Sequence, residues 1–335
     1  MKHKIAVIQP YFGKFPNYFS LSLKSLEYNS DFDWYIVTDD KTSHNYPKNV
    51  HVIYMTFDDL HKKIQKEFDF KVAFETPYKI CDFRPCFGVI FKDLLDKYDF
   101  WGYFDPDVIF GDLKNYVNDN ILSEYDKLFV KGHFSLYRNN DFINNLYKEK
   151  IDGCLYYKDV FTDNVSFIFD EKETDGINAF FVKSGLKLYD NREIIADIGI
   201  WNYSFIIAKP NEEEKLKAQN SCFSYENGKA FRYYYLDGNI HKEEFMYIHL
   251  QKRKMTINTE NSSKYLIYDN SFNDFADISK EFLLNSNRNK YWYKKKDLLK
   301  YNIIVHRILP YYNIIVKQKK YGKILEFIQK KLKKG

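Results

Sequence analysis

Residues 100–110, Phe100-Trp-Gly-Tyr-Phe-Asp-Pro-Asp-Val-Ile-Phe110, place two aspartates between two runs of large apolar side chains. The first run predicts a buried strand, and Pro106 predicts a turn that lets Asp105 and Asp107 face one ligand. Carboxylate oxygens suit Mg²⁺ and Mn²⁺, which keep open positions for substrate phosphates. Asp-X-Asp also occurs by chance in solvated turns. The interpretation of Asp105 and Asp107 as metal ligands therefore depends on the apolar runs on both sides of the pair.

The residues before this stretch have the pattern of a parallel sheet. Short apolar runs at 4–8, 34–37 and 50–54 predict strands, and the apolar spacing of 19–28 predicts a helix. This alternation is typical of α/β folds, in which ligands bind beyond the carboxyl ends of the strands. We therefore predict an α/β fold with a Rossmann-like mixed sheet flanked by helices.

Polar residues follow the first two predicted strands at that ligand-binding edge. The first strand is expected to end at Pro10, and the second is followed by Asp39 and Asp40. Only Gly13 follows the first strand closely, so dinucleotide and P-loop motifs are excluded. Farther along, the pattern predicts a helix over 84–95 and strands at 127–130 and 245–249.

The composition excludes several classes of protein. The chain has 335 residues with 30 Tyr, 30 Phe and 4 Trp, which is too much apolar surface for a disordered polypeptide. With 13 Gly and 8 Pro it is not collagen-like. The four cysteines form no CxxC pair, which argues against a disulfide framework and favours a reducing compartment. No signal-peptide core and no run of roughly 18 uncharged apolar residues is apparent.

The charge is divided unevenly along the chain. Residues 288–335 carry 15 Lys and Arg against Asp297 and Glu326, a net +13, which leaves −8 for residues 1–287 of the total +5. We therefore predict a catalytic domain over 1–285 and a basic, aromatic, helical tail over 286–335. Such a tail suits an anionic membrane surface, although an amphipathic helix packed on the protein itself has the same pattern. Nucleic acid is not an expected partner, because the body is acidic.

A second polar group follows the apolar run 245–248. His249 comes first, where a neutral imidazole is able to complete a metal site, although a lone histidine is more often a hydrogen-bonded core residue. Lys252 and Arg253 follow and carry charge suited to a diphosphate, although a basic run is usually a solvated face.

The chain resembles GT-A glycosyltransferases, which use nucleotide-sugars. It is especially similar to a bacterial family, known as a domain of unknown function, that is associated with surface and capsular polysaccharide glycosyltransferases. The motif strand also looks like that of retaining transferases that build lipooligosaccharide. The matching segments are Phe100-Trp-Gly-Tyr-Phe-Asp-Pro-Asp-Val-Ile-Phe-Gly-Asp-Leu113, Lys79-Ile-Cys-Asp-Phe-Arg-Pro85, Gly132-His-Phe-Ser-Leu-Tyr-Arg-Asn139, Phe169-Asp-Glu171 and Tyr247-Ile-His-Leu-Gln-Lys-Arg-Lys-Met255.

The resemblance implies roles for these residues. Asp105, Asp107 and His249 would bind Mn²⁺ or Mg²⁺, and Lys252 and Arg253 would stabilise the leaving UDP. The residues expected to bind the nucleotide, its phosphates or the donor sugar are Gln9, Pro10, Tyr11, Asp39, Asp40, Lys79 and Arg84. Lys79 and Arg84 have the alternative of a surface ion pair with Asp82.

The acidic pair Asp170 and Glu171 is the candidate catalytic group. An inverting transferase needs a carboxylate base for the acceptor hydroxyl, and a retaining one uses carboxylates to bind sugar hydroxyls. A plain acidic turn is the alternative. Asp197 is a second candidate base, and His133 faces either the acceptor or the core.

Taken together, these features predict a metal-dependent enzyme that moves a hexose from a UDP-sugar to a surface polysaccharide or lipid-linked glycan. Its expected place is the cytoplasmic face of the cell membrane. A nucleotidyltransferase on a similar fold is one alternative, and a non-catalytic protein that binds glycans or membranes is another.

Overall fold

The structure is a computed structural model that describes residues 1–199, 207 and 211–286. The tail from residue 287 onward lies outside the described residues, so the predicted helical extension and its boundary stay predictions. Among the helices that are described, none combines the length and the apolar character needed to span a membrane.

Sixteen strands lie in the described part of the chain. They are β1 (Ile5–Tyr11), β2 (Phe32–Thr38), β3 (Val50–Tyr54), β4 (Phe100–Phe104), β5 (Val108–Phe110), β6 (Lys127–Leu128), β7 (Phe134–Arg138), β8 (Leu188–Tyr189), β9 (Ile195–Asp197), β10 (Ser221–Glu226), β11 (Lys229–Leu236), β12 (Asn239–Phe245), β13 (Tyr247–His249), β14 (Thr256–Asn258), β15 (Lys264–Tyr268) and β16 (Ser271–Asp274).

The same residues form eleven α-helices, many of them a single turn. They are α1 (Phe19–Tyr28), α2 (Phe57–Gln65), α3 (Ile80–Phe83), α4 (Phe87–Ile90), α5 (Lys92–Leu95), α6 (Asp119–Glu124), α7 (Asp141–Asn145), α8 (Tyr157–Thr162), α9 (Ile177–Lys183), α10 (Glu212–Gln219) and α11 (Lys280–Asn285). Short 3₁₀ turns lie at Pro77–Lys79, Arg84–Cys86, Leu113–Asn115 and Leu146–Lys148.

The main sheet has the order β3-β2-β1-β4-β7-β6-β8 within the described residues. Strands β3, β2, β1 and β4 are parallel, whereas β7 runs antiparallel to both β4 and β6. Alternate side chains of β1 enter two apolar cores, with Ile5 and Val7 on one face and Ala6 and Ile8 on the other. The predicted Rossmann-like α/β class, with a mixed sheet flanked by helices, is confirmed.

Several local predictions are confirmed and others are wrong. The bounds of α1, β3 and β4 agree with the sequence pattern. Strand β1 continues through Pro10, because its pairing with β4 ends at Ile8 and no ladder bond on that side is lost. The helix over 84–95 is instead three short pieces, because the backbone leaves helical geometry at Cys86 (φ −100°, ψ 8°) and at Phe91 (φ −112°, ψ 24°).

Two smaller sheets complete the described structure. A six-stranded, largely antiparallel sheet has the order β12-β11-β10-β15-β16-β14, which the sequence pattern did not predict. A three-stranded sheet has the order β5-β13-β9. The second of these positions the candidate site, because its middle strand ends at His249, beside Asp197 of β9 and close to Asp107, which directly precedes β5.

Candidate metal and ligand site

The pairing of three short strands brings distant residues together at one point. In the β5-β13-β9 sheet, His249 lies opposite Val108 on one side and Asp197 on the other. The backbone N–H of Leu250 donates to the carbonyl oxygen of Asp107 over 2.9 Å, which extends the first pairing by one residue. The Asp-Pro-Asp turn and the late histidine therefore lie close together.

Asp105, Asp107 and His249 form a group that is able to hold a cation. One candidate ligand atom from each residue lies within 4.8 Å of the other two. Nε2 of His249 is 3.5 Å from Oδ1 of Asp107, and both side chains are buried. That Oδ1 atom has no hydrogen-bond partner among the described residues, while Oδ2 accepts from the backbone N–H of Lys252. A buried carboxylate oxygen left in this way fits a divalent cation.

Asp197 fixes the orientation of His249. Its Oδ1 lies 2.7 Å from Nδ1 of His249 and also accepts a hydrogen bond of 2.7 Å from Gln251 Nε2. This arrangement directs Nε2 toward Asp107, as carboxylates commonly do behind metal-binding histidines. In this arrangement Asp197 positions His249, and its alternative role as a catalytic base stays a prediction.

The charges of this pair depend on each other. Burial opposes ionisation of Asp107, but the neighbouring His249 outweighs it and lowers the pKa of the carboxyl. Burial likewise opposes the charge on His249, yet Asp107 and Asp197 raise the pKa of the imidazole. Two carboxylates, one on each side of the imidazole, thus make its surroundings negative, which favours positive charge there.

Arg84 connects the aspartate turn to the second acidic pair. One guanidinium nitrogen, Nη1, donates to Asp170 Oδ2 over 2.8 Å and to the carbonyl oxygen of Gly132 over 2.7 Å, while Nη2 pairs with Asp105. The guanidinium also lies 5.0 Å from the ring of Tyr103. Arg84 lines the predicted site, but in the structure its partners are carboxylates of the site itself rather than Asp82.

The acidic pair lies in the same site in a tight turn. Burial raises the pKa of Asp170 to about 7, against the opposing charge of Arg84. Its Oδ1 is buried and finds no hydrogen-bond partner in the part of the chain that is described. Glu171 accepts from the backbone N–H of Gly132 over 2.9 Å. A Cβ at Gly132 would come within 3.0 Å of Asp170 Oδ2 and 3.1 Å of Glu171 Oε2, so glycine permits this approach.

A cavity of about 840 Å³ joins these groups. Of the predicted residues, those on its wall are Pro10, Tyr11, Arg84, Asp105, Asp107, Asp170, Glu171, His249, Lys252 and Arg253. The ring of Tyr11 stacks on Phe15 with centroids 4.8 Å apart, so Phe15 covers one face of the Tyr11 ring. His133 and Asp197 also line the cavity.

Four residues predicted to bind the nucleotide, its phosphates or the donor sugar are not on this wall. Lys79 is buried, and its ammonium donates to Asp82 and to the carbonyl oxygens of Val160 and Val165 over 2.7 to 2.8 Å. The alternative of an ion pair with Asp82 is confirmed for Lys79, but the pair lies in the core rather than on the surface. Three acceptors therefore surround the ammonium of Lys79, which lies in the core and not on the cavity wall.

The others are Gln9, Asp39 and Asp40. Asp39 accepts from the backbone N–H of Gly13 over 2.8 Å, and Asp40 accepts from Lys14 Nζ over 2.6 Å. These carboxylates hold the loop after β1, and their predicted role toward a base or ribose stays a prediction. Gln9 is buried within the sheet, with both amide atoms lacking a hydrogen-bond partner in the described structure.

Lys252 and Arg253, the two predicted basic ligands, make different contacts. Lys252 has a left-handed backbone with a φ of 57°, and its ammonium lies 4.5 Å from the centroid of the Tyr78 ring at the cavity. Arg253 is buried, and its guanidinium donates to Asn270 and to the carbonyl oxygen of Gly199. Arg253 therefore serves largely to hold the backbone, and Lys252 is the better placed of the two to meet an anion.

His133 adds a second histidine to the wall. Its ring stacks on that of His249 with centroids 4.1 Å apart, and Nδ1 lies 2.8 Å from the hydroxyl of Tyr247. Burial lowers the pKa of His133 well below its ordinary value, which favours the neutral form of the ring. His133, Asp197 and His249 form a second group with ligand atoms within 4.8 Å of one another.

Comparisons with known proteins give a family and likenesses among solved structures. A search of curated proteins finds no match to this chain. A crystal structure of the galactosyltransferase LgtC, in complex with donor and acceptor sugar analogs, aligns over 57% of this chain and 75% of its own, with 10% identity and a TM-score of 0.32. A family model described as a family of unknown function matches residues 7–276, which is most of the chain. The chain therefore belongs to this family, DUF6625.

Proposed function

We propose that the chain is a metal-dependent glycosyltransferase that moves a hexose from a UDP-sugar to a surface-polysaccharide or lipid-linked glycan. One observation carries the proposal: Oδ1 of buried Asp107 lacks a hydrogen-bond partner in the described residues and faces Nε2 of His249 at 3.5 Å. The adjoining cavity of about 840 Å³ has the size of a site for a nucleotide-sugar.

Asp105, Asp107 and His249 would hold Mn²⁺ or Mg²⁺. When bound, such an ion neutralises the diphosphate of the donor and the charge that develops on the departing UDP. Asp197 keeps His249 in the tautomer that offers Nε2 to the ion, through its 2.7 Å contact with Nδ1.

Cationic side chains on the same wall would bind the diphosphate. Lys252 lies next to the metal group, since its backbone N–H donates to Asp107. Lys131 and Lys254 also line the cavity. Fixed positive charges contribute most where negative charge develops, which in this reaction is the leaving diphosphate.

Asp170 would act on the acceptor side. A carboxyl with a pKa of about 7 is near the operating pH, so it is suited to take the proton of an acceptor hydroxyl in an inverting reaction. In a retaining reaction, Asp170 and Glu171 would bind sugar hydroxyls instead. Arg84 holds Asp170 at 2.8 Å and sets its position in either case.

The tail over 286–335 would bind the enzyme to the anionic cytoplasmic face of the membrane, where a lipid-linked acceptor is found. The support is its net +13 from residue 288 onward, beside many aromatic residues. Truncation at residue 287 should abolish binding to anionic vesicles, and unchanged binding would contradict this part of the proposal.

The central test is binding and turnover of UDP-sugars. We expect Mn²⁺ with UDP or a UDP-sugar to raise Tm, and UDP to be released on turnover. Asp105→Asn should lose both effects, whereas Asp69→Asn, an exposed carboxylate off the cavity wall, should keep them. Intact turnover and Mn²⁺-dependent binding in Asp105→Asn would refute the proposal. Pyrophosphate as the product would indicate a nucleotidyltransferase, and no product with any sugar nucleotide would favour a binding protein.

A further inference from the structure

Ile168 has a backbone conformation that costs free energy. Its φ is +57°, in the left-handed region that β-branched residues rarely adopt. Its carbonyl oxygen accepts from the backbone N–H groups of Glu171 and Lys172 over 3.3 and 3.0 Å, so it begins the turn that carries Asp170. Glycine would fit this position without strain. Packing does not explain the isoleucine, because the residue is 44% exposed.

Tyr78 is a second exposed apolar residue on the same cavity. It is 56% exposed, and like Ile168 it lines the wall that holds Asp170 and Glu171. By contrast, Asp107 and His249 are only 2% and 8% exposed. The cavity therefore has a charged floor and a partly apolar mouth.

We infer that Ile168 and Tyr78 form a subsite for a pyranose ring of the acceptor, and this inference rests on the proposed function. A pyranose has an apolar C–H face and a rim of hydroxyl groups, so it suits a flat ring and an aliphatic side chain beside carboxylates. Glu171, a half-buried carboxylate on the same wall, is placed to accept hydrogen bonds from the rim.

The metal group is buried whereas Ile168 and Tyr78 are exposed, and this difference assigns the subsite to the acceptor rather than the donor. The donor diphosphate would lie at the buried metal group, so the donor occupies the floor. An acceptor that binds above a donor on the floor would therefore meet the mouth residues. The strained Ile168 is then retained because it contacts the acceptor, which is a common reason for strain at ligand sites.

Saturation-transfer NMR tests this subsite, with methyl β-D-glucopyranoside and methyl β-D-galactopyranoside as probes and with UDP and Mg²⁺ present. The wild-type chain should saturate the ring protons of at least one probe. Tyr78→Ala and Ile168→Gly should each weaken its binding roughly fivefold, the size of one lost apolar contact. Phe142→Ala removes an equally exposed ring that is off the cavity wall and should change nothing.

The outcomes separate this inference from the proposed function. The subsite would be overturned if both variants saturate the probes as the wild type does, or if the wild type saturates neither probe. Either result would overturn it even where UDP and Mg²⁺ raise Tm. The absence of that Tm shift in the wild type would refute the proposed function instead. Ile168→Gly should keep or raise Tm, because glycine relieves the left-handed strain. A lower Tm would show that isoleucine is kept for packing, and would overturn the inference.

Discussion

Nε2 of His249 lies 3.5 Å from Oδ1 of Asp107, on the side of the imidazole opposite its contact with Asp197. The two residues come from opposite halves of the described chain and meet through the pairing of β5 with β13. The histidine is thus held from behind and directed at a carboxylate oxygen that has no hydrogen-bond partner in the described residues.

Asp107→Asn should abolish metal binding while leaving the fold intact. The amide keeps the shape of the side chain but removes the negative charge, and its NH₂ group binds no cation. We expect affinity for Mn²⁺ to fall by more than roughly 100-fold, measured by calorimetry. Asp69→Asn is the matched control. Equal affinity in both variants would mean that Asp107 binds no metal.

Asp197→Asn should have a smaller effect of the same kind. Asp197 touches the histidine rather than the ion, so its loss frees the orientation of the ring without removing a ligand. Residues behind metal ligands typically change affinity by roughly 10- to 100-fold. Calorimetry with Mn²⁺ should give a value in that range, and Asp190→Asn, which lies away from the cavity and pairs with Arg192, should bind as the wild type does. A complete loss would show that Asp197 is itself a ligand.

Local sequence pattern predicted the elements that depend on local chemistry. The apolar runs of β3 and β4 and the spacing of α1 needed no knowledge of distant partners. The sequence indicated the Asp-Pro-Asp turn and His249 as candidate metal ligands, because each follows an apolar strand.

Roles that depend on pairing between distant strands were not predictable in this way. Asp197 has the sequence context of a free carboxylate, and only the parallel pairing of β9 with β13 brings it to His249. Lys79 has the context of a phosphate ligand, yet carbonyl oxygens of Val160 and Val165 surround it. Both outcomes come from long-range packing, which a single sequence does not reveal.

Gly132→Ala should displace the carboxylates of Asp170 and Glu171 without changing the charge of the site. The added methyl group would lie 3.0 Å from Asp170 and 3.1 Å from Glu171, which is closer than ordinary contact, so both carboxylates must move. We expect a loss of stability of about 1–3 kcal/mol and a larger fall in turnover than in Mn²⁺ affinity. Denaturant unfolding and calorimetry measure the two effects. Unchanged turnover would show that the positions of these carboxylates do not matter to the reaction.

Lys127 should make stability depend on pH above neutrality. Its ammonium is buried beside the carbonyl oxygen of Phe129 and 3.3 Å from Ser135 Oγ, and this burial lowers its pKa to about 7. The unfolded chain keeps that proton up to about pH 10. Between these values the unfolded state binds more protons, so stability rises with pH.

The measurement is the difference in unfolding free energy between wild type and Lys127→Met, by denaturant titration at pH 7 and pH 9. We expect this difference to shift in favour of the wild type by roughly 2 kcal/mol at the higher pH. Lys187→Met, which removes an exposed ammonium, should show no such shift. A difference that stays constant with pH would mean that Lys127 remains charged in the core, stabilised there by the carbonyl oxygen of Phe129 and the ring of Tyr137, 4.9 Å away.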